Sequence, residues 1–157
     1  MATKLSKILV AVDFSECSMR ALEKASELAL ACGASVDILH VWEMPSFLPP
    51  TTLVGPDLEM QQPLLELVRE HAANELARFG ADAAAKGLKV GAARSAEGDP
   101  WRTIVSTAEH DHYDLIALGT MGRTGLMHVM LGSVAEKVVR HSSVPVLTVR
   151  MAEAAVK

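Results

Sequence analysis

Residues 114–140 of the chain, DLIALGTMGRTGLMHVMLGSVAEKVVR, pass from a short apolar run through a loop with four glycines into a helical pattern. The apolar run predicts a buried strand that ends at Gly119, and the spacing of Val134 and Val138 predicts a helix that begins near Ser133. Glycine permits unusual backbone dihedrals and lets a ligand approach the main chain closely. The stretch therefore indicates either a flexible connection or a binding loop between a strand and a helix.

Four further apolar runs occur along the chain, with helical patterns between them. The five predicted strands are KILVAV (7–12), VDILHVW (36–42), LKVGAA (88–93), DLIALG (114–119) and VPVLTV (144–149). They are rich in β-branched residues and mostly continuous rather than alternating, which is typical of strands covered on both faces. The alternation predicts one doubly wound α/β domain over residues 1–157. Its sheet has five parallel strands in the order 3-2-1-4-5, with helices on both faces.

The intervals between the strands carry apolar residues at positions i, i+3 and i+4 and typical helix-boundary residues. The first predicted helix covers 18–32 and ends at Gly33, and the second covers 62–86 with Pro63 at an early helical position. The third begins at Asp99 and Pro100 and buries Ile104, Val105 and Ala108. The fourth begins at Ser133 and buries Val134, Val138 and Val139. Residues 43–59 break the alternation with four of the seven prolines, and predict a long loop that acts as a lid or is simply a connector.

The composition narrows the classes of partner. A net charge of −4 and a pI near 5.8 provide no basic face, so nucleic acid is not an expected partner. No run reaches the ~18 apolar residues of a membrane span, and the opening run ILVAV is too short for a signal peptide. The two cysteines, Cys17 and Cys32, have no metal-binding spacing and are typical of free thiols in a cytoplasmic protein.

The glycine-containing loop lies where open α/β sheets bind ligands, at the carboxyl ends of the strands where the strand order reverses. Asp13 follows the first strand, and the loop after Gly119 leads to a helix N-terminus, whose N–H groups attract anions. The chain contains neither a Gly-Lys dipeptide nor a GxGxxG pattern, so the loop is neither a Walker A loop nor a dinucleotide fingerprint. On these residues alone, a phosphate site and a flexible connection remain open.

The spacing of the glycines resembles a known signature. Gly119, Gly122, Gly132 and Ser133 follow the pattern G-x2-G-x9-G-[ST], which is similar to the ATP-binding signature of the universal stress protein family. The resemblance covers nearly the whole chain, because ILVAVDFSECSMRAL, LHVWE, EGDPWRTIV, GSVAEKVVR and VPVLTV stand in the family's order and spacing. The resemblance implies a nucleotide-binding domain whose ligand is ATP or a related adenine nucleotide, with Mg²⁺ held through the phosphates.

The site that the resemblance implies consists of Ala11, Asp13, Val41, Gly119, Gly122, Arg123, Gly125, Gly132, Ser133, Val134 and Ala135. Asp13 matches the acidic residue that bonds the ribose hydroxyls, Val41 the position whose backbone recognises adenine, and Ala11 lies near the base. The glycines from Gly119 to Gly125, with Arg123, cradle the phosphates, and residues 132–135 bind the outer phosphates. Ala135 departs from members that carry a hydroxyl there, which removes one phosphate donor.

The implied function is that of a stress-response regulator or sensor that hydrolyses ATP slowly or not at all. One loop arginine and no evident general base allow a weak ATPase at most, and no catalytic residue is assigned. The alternative is a nucleotide-free dimeric interaction module of the same fold. A flavodoxin-like carrier or an adenylating enzyme is a third hypothesis. A flavin site would need aromatic residues near the ring, for which only Trp42, Trp101 and Tyr113 are candidates, and the catalytic motif and substrate pocket of an adenylating enzyme are not evident.

Several polar residues have two interpretations. Asp13 fits a ribose contact or the cap of the first helix, a place that Ser15 could also take. His40 fits a strand-end histidine better than a ligand contact. His110 and His112 have a spacing that could bind a metal, but a solvated turn fits them better, and no metal site is predicted.

The last predicted strand, Val144–Val149, is apolar and uninterrupted by Lys or Glu, which favours an edge that pairs with a second copy. Pro145 suits an edge strand because it lacks a backbone donor. The resemblance also implies a homodimer through this strand. The competing interpretation is an edge covered by residues 151–157 of the same chain.

Overall fold

The computed structural model describes residues 4–121 and 131–151. The elements in chain order are β1 (Lys7–Ala11), α1 (Glu16–Cys32), β2 (Ser35–Trp42), β3 (Leu53–Val54), β4 (Gln62–Pro63), α2 (Leu64–Ala85), β5 (Ala93–Glu97), α3 (Pro100–His110), β6 (Leu115–Gly119), α4 (Ser133–His141) and β7 (Val146–Val149). Within these described residues no helix is long and apolar enough to cross a membrane.

Five of the strands form one parallel sheet in the order β5-β2-β1-β6-β7. Because β3 and β4 form a separate antiparallel ribbon, this arrangement is the predicted order 3-2-1-4-5, and the predicted fold class is confirmed. The chain moves outward from β1 in one direction and outward from β6 in the other. The strand order therefore reverses between β1 and β6.

Alternate residues of each strand enter two different cores, as the two-residue period of a strand requires. Ile8 and Val10 of β1 pack into a cluster with α1 and α2 on one face, and Leu9 of β1 packs into a cluster with α3 and α4 on the other. All three side chains are fully buried. Burial on both faces explains why the central strands are continuous apolar runs.

The boundaries of α1 follow from local sequence. Ser15 is the N-cap residue, and its hydroxyl oxygen accepts a hydrogen bond from the backbone N–H of Ser18 at 3.2 Å. Gly33 adopts the left-handed conformation with φ of 71°, and its N–H bonds the carbonyl of Ala29. The predicted stop at Gly33 is therefore confirmed.

The third strand of the prediction, LKVGAA (88–93), was wrong by about one strand length, because β5 is ARSAE at Ala93–Glu97. As the edge of the sheet, β5 pairs only with β2 and leaves most of its side chains exposed, so it has no need of an apolar run. Leu88 and Val90 instead pack against the α1 and α2 core before the strand begins.

The helices start where the sequence indicates, with two corrections. Pro63 lies immediately before α2 and in the ribbon strand β4, rather than inside the helix. In α4, Val138 is fully buried and Val134 is half-buried, but Val139 is 47% exposed, so its predicted inward position was wrong. The buried stripe of α4 centres on Ala135 and Val138, and Val139 lies past its edge.

The segment between β2 and α2 is an arm with little regular structure beyond the ribbon of β3 and β4. It carries apolar side chains outward: Phe47 is 81% exposed and Leu58 is 87% exposed. The predicted long connection between β2 and α2 is present. It contains a two-stranded ribbon, which could not be predicted because strands of two residues leave no pattern in the sequence. Its role as a lid stays a prediction.

Candidate functional site

A cavity of about 230 Å³ lies at the carboxyl end of the sheet, where the strand order reverses. Its lining comes from the ends of β1, β2 and β6 and the starts of α1, α3 and α4. The lining residues are Ala11, Val12, Asp13, Ser18, Leu39, Val41, Pro100, Ile104, Leu118, Gly119, Thr120, Met121, Gly132, Ser133, Val134 and Ala135. The volume is a little below the ~300–1,000 Å³ that is usual for small-molecule pockets.

The structure brings together eight of the eleven predicted site residues around this cavity. They are Ala11, Asp13, Val41, Gly119, Gly132, Ser133, Val134 and Ala135. The other three, Gly122, Arg123 and Gly125, lie outside the described residues. Residues up to 124 positions apart in sequence, Ala11 and Ala135, therefore line one cavity because β1 and β6 are neighbours.

The N-terminus of α4 opens into the cavity. Gly132 is the N-cap residue, and no side chain bonds the first N–H groups of the helix within the described part of the chain. The first intrahelical acceptor is the carbonyl of Gly132, which takes the N–H of Glu136 at 2.9 Å. The N–H groups of Ser133, Val134 and Ala135 come earlier in the helix and have no intrahelical partner. They form a donor cluster with positive potential, which suits an anion.

The carboxylate of Asp13 is oriented by the start of α1. Its Oδ1 accepts the backbone N–H of Ser15 at 3.0 Å and also the hydroxyl of Ser15. Ser15, not Asp13, bonds the free N–H of the helix. Of the two interpretations of Asp13, the helix cap is therefore excluded, and the carboxylate lines the cavity from a fixed position.

Gly119 has a packing reason for lacking a side chain. A Cβ at Gly119 would lie 2.7 Å from Sγ of Cys17 and 3.1 Å from its carbonyl carbon. Cys17 is only 3% exposed, and its thiol donates to the carbonyl of Val149 at 3.3 Å. The glycine thus permits the first turn of α1 to approach β6, a constraint that the sequence signature alone does not reveal.

The backbone of Val41 faces the cavity beyond the end of β1. The ladder between β1 and β2 ends with the pair Ala11 and Leu39, and Val12 donates its N–H to Leu39 as the last rung. The other edge of β2 pairs with β5 up to Trp42. Because N–H and C=O groups alternate between the two edges of a strand, those of Val41 point to the side where β1 has ended.

The charge of the cavity wall is low. Among the lining residues that the structure describes, Asp13 alone carries a formal charge. Glu136, in the first turn of α4, is held by Arg140 at 2.8 Å on the exposed surface. The attraction for an anion therefore comes from backbone amides, within the described part of the site.

The sequence did not identify half of the lining. Val12, Ser18, Leu39, Pro100, Ile104, Leu118, Thr120 and Met121 also border the cavity. Leu39 and Leu118 are strand residues on the α3 and α4 face, which the predicted sheet could have indicated by counting in steps of two. Pro100 begins α3 directly after the end of β5, at the same edge of the sheet, so its position also follows from the topology.

His110 and His112, whose spacing could bind a metal, lie near the end of α3. His110 Nδ1 contacts the carbonyl of Ser106 at 2.8 Å within its own helix, and His112 adopts a left-handed turn conformation with φ of 56°. No cluster of three or more metal-binding side chains occurs in residues 4–121 and 131–151. His110 is the last residue of α3, and His112 lies in the turn between α3 and β6.

A buried polar network lies at the amino ends of the strands, away from the cavity. The hydroxyl of Tyr113 donates to Oδ2 of Asp37 at 2.8 Å, and Oδ1 of Asp37 accepts the N–H of Ala92 at 2.7 Å. Burial of Tyr113, followed by its hydrogen bond to Asp37, raises the pKa of the phenol to about 12. The network is structural, because it ties β2 to the start of β5 and to the residues before β6.

The parallel sheet, with a cavity at its reversal point and the N-terminus of α4 beside it, defines a doubly wound α/β domain, a class that binds ligands at this position when it binds them. The protein-family model described as "Universal stress protein family" matches residues 4–150 of the sequence. Universal stress protein MJ0531 of Methanocaldococcus jannaschii is 34% identical over 145 residues, which cover 92% of this chain and 81% of that protein. The chain belongs to the universal stress protein family.

Solved structures show the same fold. The structure of protein MJ0577 of Methanocaldococcus jannaschii shares 28% sequence identity with this chain and superposes on it with a TM-score of 0.74. The superposition covers 97% of this chain and 100% of the MJ0577 chain. A universal stress protein from Archaeoglobus fulgidus, solved in complex with dAMP, is 21% identical with a TM-score of 0.58 and covers 94% and 99% of the two chains. At that identity, the second comparison shows the shared fold alone.

Proposed function

We propose that this universal stress protein binds ATP in the cavity between β1 and β6, with Mg²⁺ held through the phosphates. It then acts as a stress-response regulator or sensor, with slow hydrolysis or none. The observation that carries the proposal is the open N-terminus of α4, which directs three backbone amides into a cavity at the reversal point of the sheet. A relative with this fold has been solved with dAMP, an adenine nucleotide.

The phosphates are assigned to the helix N-terminus. The amides of Ser133, Val134 and Ala135 and the exposed Ser133 hydroxyl are the available donors. Because Ala135 has no hydroxyl, its contribution is its amide alone. The described wall contains no cation to balance the phosphates, so the proposal assigns that role to Mg²⁺ and to Arg123, which lies outside the described residues.

The nucleoside is assigned to the opposite wall. The carboxylate of Asp13, fixed by Ser15, accepts hydrogen bonds from the ribose hydroxyls. The N–H and C=O of Val41 form a donor and acceptor pair for the edge of adenine, and the apolar side chains of Leu39 and Ile104 cover its faces. An apolar wall with a few fixed polar groups is the usual design of a small-molecule site.

Efficient hydrolysis is not part of the proposal. Phosphoryl transfer to water needs a group that positions the water and charges that stabilise the transition state. Among the lining residues that the structure describes, Asp13 alone has an ionisable side chain, and the proposal assigns it to the ribose rather than to the attacking water. The site therefore suits a protein whose state depends on the bound nucleotide.

We also propose a homodimer through β7. The strand lies at the edge of the sheet, as predicted, and its odd-numbered residues bond β6: the carbonyls of Pro145 and Val149 accept the N–H groups of Ile116 and Thr120. The backbone groups of Val146 and Thr148 therefore point away from β6 and are available to a second copy. Residues 152–157, which could cover the edge instead, lie outside the described residues.

The proposed ligand can be tested directly. Protein purified without added nucleotide is denatured, and the released small molecules are identified by mass spectrometry, with calorimetric titration of the emptied protein by ATP and MgCl₂. Gly132→Leu should abolish binding with the fold intact, because φ of −57° at Gly132 suits any residue and the new side chain enters the phosphate approach. Gly80→Leu is the matched control, since no atom lies within 4 Å of the added Cβ. Equal affinity in both variants would exclude the assignment.

A further inference from the structure

His40 lies behind the wall that would receive the base. Its neighbours Leu39 and Val41 line the cavity, and because side chains alternate along a strand, His40 points to the opposite face of the sheet. Its ring lies 4.2 Å from the ring of Phe14, centroid to centroid, and Phe14 lies 5.9 Å from Phe79 of α2. The His40 ring therefore lies on the face of the sheet opposite the cavity, against the turn that follows β1.

The hydrogen bond of His40 has a defined direction. Nδ1 of the ring lies 2.8 Å from the carbonyl oxygen of Val12, directly after β1. A carbonyl can only accept, so Nδ1 carries the hydrogen and donates it. The ring thus uses the carbonyl of Val12, the first residue after β1, as its acceptor.

This bond takes the place of a rung of the sheet. After Val12 donates to Leu39, the next rung of a parallel ladder would run from the N–H of Val41 to the carbonyl of Val12. That rung is not formed between these two described residues, and the carbonyl accepts the ring of His40 instead. The ladder consequently ends one rung early, and the N–H of Val41 is left facing the cavity.

Phe14 shows that the chain is held in this path against its local preference. It adopts φ of 66°, a left-handed conformation that is costly for an aromatic residue and persists only where packing enforces it. Its ring is packed between His40 and Phe79. The turn at Phe14 separates β1 from α1 and leaves Asp13 on the cavity side.

We infer that His40 is a positioning residue for base recognition: its Nδ1–H occupies the Val12 carbonyl, which keeps the Val41 N–H unpaired and available to the edge of an adenine base. The role of the base rests on the proposed function, but the competition for the carbonyl does not. Without the ring N–H, a partly buried carbonyl would lack its donor, and the Val41 N–H is the donor that the ladder places nearest.

Two substitutions separate the donor of His40 from its ring. In His40→Asn, the side-chain amide nitrogen is as many bonds from Cα as Nδ1, so the donor is kept while the stacking on Phe14 is lost. In His40→Phe, the ring is kept and the donor is lost. A structural role in packing predicts that the phenylalanine variant resembles the native protein, whereas the positioning role predicts that the asparagine variant does.

The experiment measures amide exchange of Val41 by nuclear magnetic resonance in the nucleotide-free protein, and the affinity for MgATP by calorimetry, for the native protein and both variants. We expect His40→Phe to slow exchange at Val41 and to weaken ATP binding about tenfold, the loss of one net hydrogen bond. His40→Asn should keep native values of both. Unchanged exchange at Val41 in His40→Phe, or an equal loss in both variants, would overturn the inference.

The two measurements also separate this inference from the proposed function. If the native protein binds no nucleotide, the proposed function fails, and the exchange rates of Val41 still decide whether His40 controls the last rung. If ATP binds but exchange at Val41 does not respond to His40→Phe, the function stands and the positioning role fails. Denaturation midpoints of the three proteins show whether each variant is folded.

Discussion

Replacing Gly119 by alanine tests whether the first glycine of the signature serves packing or ligand binding. The added Cβ would lie 2.7 Å from Sγ of Cys17, closer than carbon and sulfur atoms approach without a shift. The 3.1 Å contact to the carbonyl carbon of Cys17 belongs to the backbone of α1, so a side-chain rotation cannot relieve it. Overpacking of this kind costs about 1–3 kcal/mol. We expect Gly119→Ala to lower the unfolding free energy of the nucleotide-free protein by about that amount.

Chemical denaturation of the nucleotide-free protein measures this loss of unfolding free energy, and two further variants serve as controls. Gly80→Ala is the opposite control, because Gly80 lies inside α2 with nothing within 4 Å of an added Cβ, and it should stabilise the protein by about 0.5–1 kcal/mol. Cys17→Ala combined with Gly119→Ala removes the sulfur contact and leaves the carbon contacts. The pair should therefore show a favourable coupling but incomplete recovery.

The result that refutes this reasoning is a Gly119→Ala protein of native stability. If that protein also fails to bind ATP, the glycine serves the ligand and not the approach of α1 to β6. Loss of stability without loss of affinity, corrected for the folded fraction, would assign the glycine to packing alone.

The remaining predictions concern the ribose, the buried phenol and the sheet edge. Asp13→Ala should weaken ATP binding by about 1–3 kcal/mol in calorimetry and also destabilise the start of α1, whereas Asp13→Asn keeps an acceptor for Ser15 and isolates the ligand effect; an unchanged affinity in both would exclude the ribose contact. Tyr113 is the single tyrosine of the chain, so its ultraviolet titration should give a pKa near 12 directly. Because the folded protein holds the phenol proton more tightly than the unfolded chain, this proton contributes its full share to the unfolding free energy below pH ~10. The unfolding free energy should fall by about 2–3 kcal/mol as the pH rises to ~12, and Tyr113→Phe should remove this pH dependence. Thr148→Pro removes a backbone donor from the outer edge of β7 and should yield a monomer in light scattering, while a native protein that is already monomeric at micromolar concentration would contradict the dimer.

The sequence predicts most of the fold where local signals and burial agree. The central strands are apolar on both faces, and Ser15 and Gly33 mark the ends of α1 by short-range hydrogen bonds. It fails at the edge strand β5, because an exposed edge is held by backbone bonds to β2 and leaves no apolar pattern. It also fails for the ribbon of β3 and β4, whose two-residue strands are too short for any periodicity.

The candidate site follows the same division. The residues of the glycine signature and Asp13 could be identified because motif and strand ends coincide, and the structure places eight of the predicted positions on one cavity. The packing constraint that requires glycine at position 119 could not be identified from the sequence, because it depends on Cys17, which is 102 positions away in the chain. The left-handed conformation of Phe14 could not be predicted either, since its ring packs against His40 and Phe79, which are distant in sequence.

The unequal lengths of the strands account for the position of the cavity. β1 ends at Ala11, opposite Leu39, whereas β2 continues in register with β5 to Trp42. Three residues of β2 therefore extend past the end of its neighbour, and their β1-facing backbone groups have no strand to pair with. On the other side of β1, β6 ends at Gly119, only one residue past Leu118, the partner of Ala11.

A sheet that ended evenly at this edge would pair all of its backbone groups and leave no polar wall. Here the early end of β1 exposes donors and acceptors from β2, and the turn through Phe14 then carries the chain away to α1. The N-terminus of α4 supplies further unpaired donors across the same gap. Unpaired backbone groups in an apolar surrounding are costly unless a ligand or water satisfies them. The polar groups of the cavity thus belong mainly to the main chain, which is why an Ala at position 135 or a Val at position 41 is compatible with a nucleotide site.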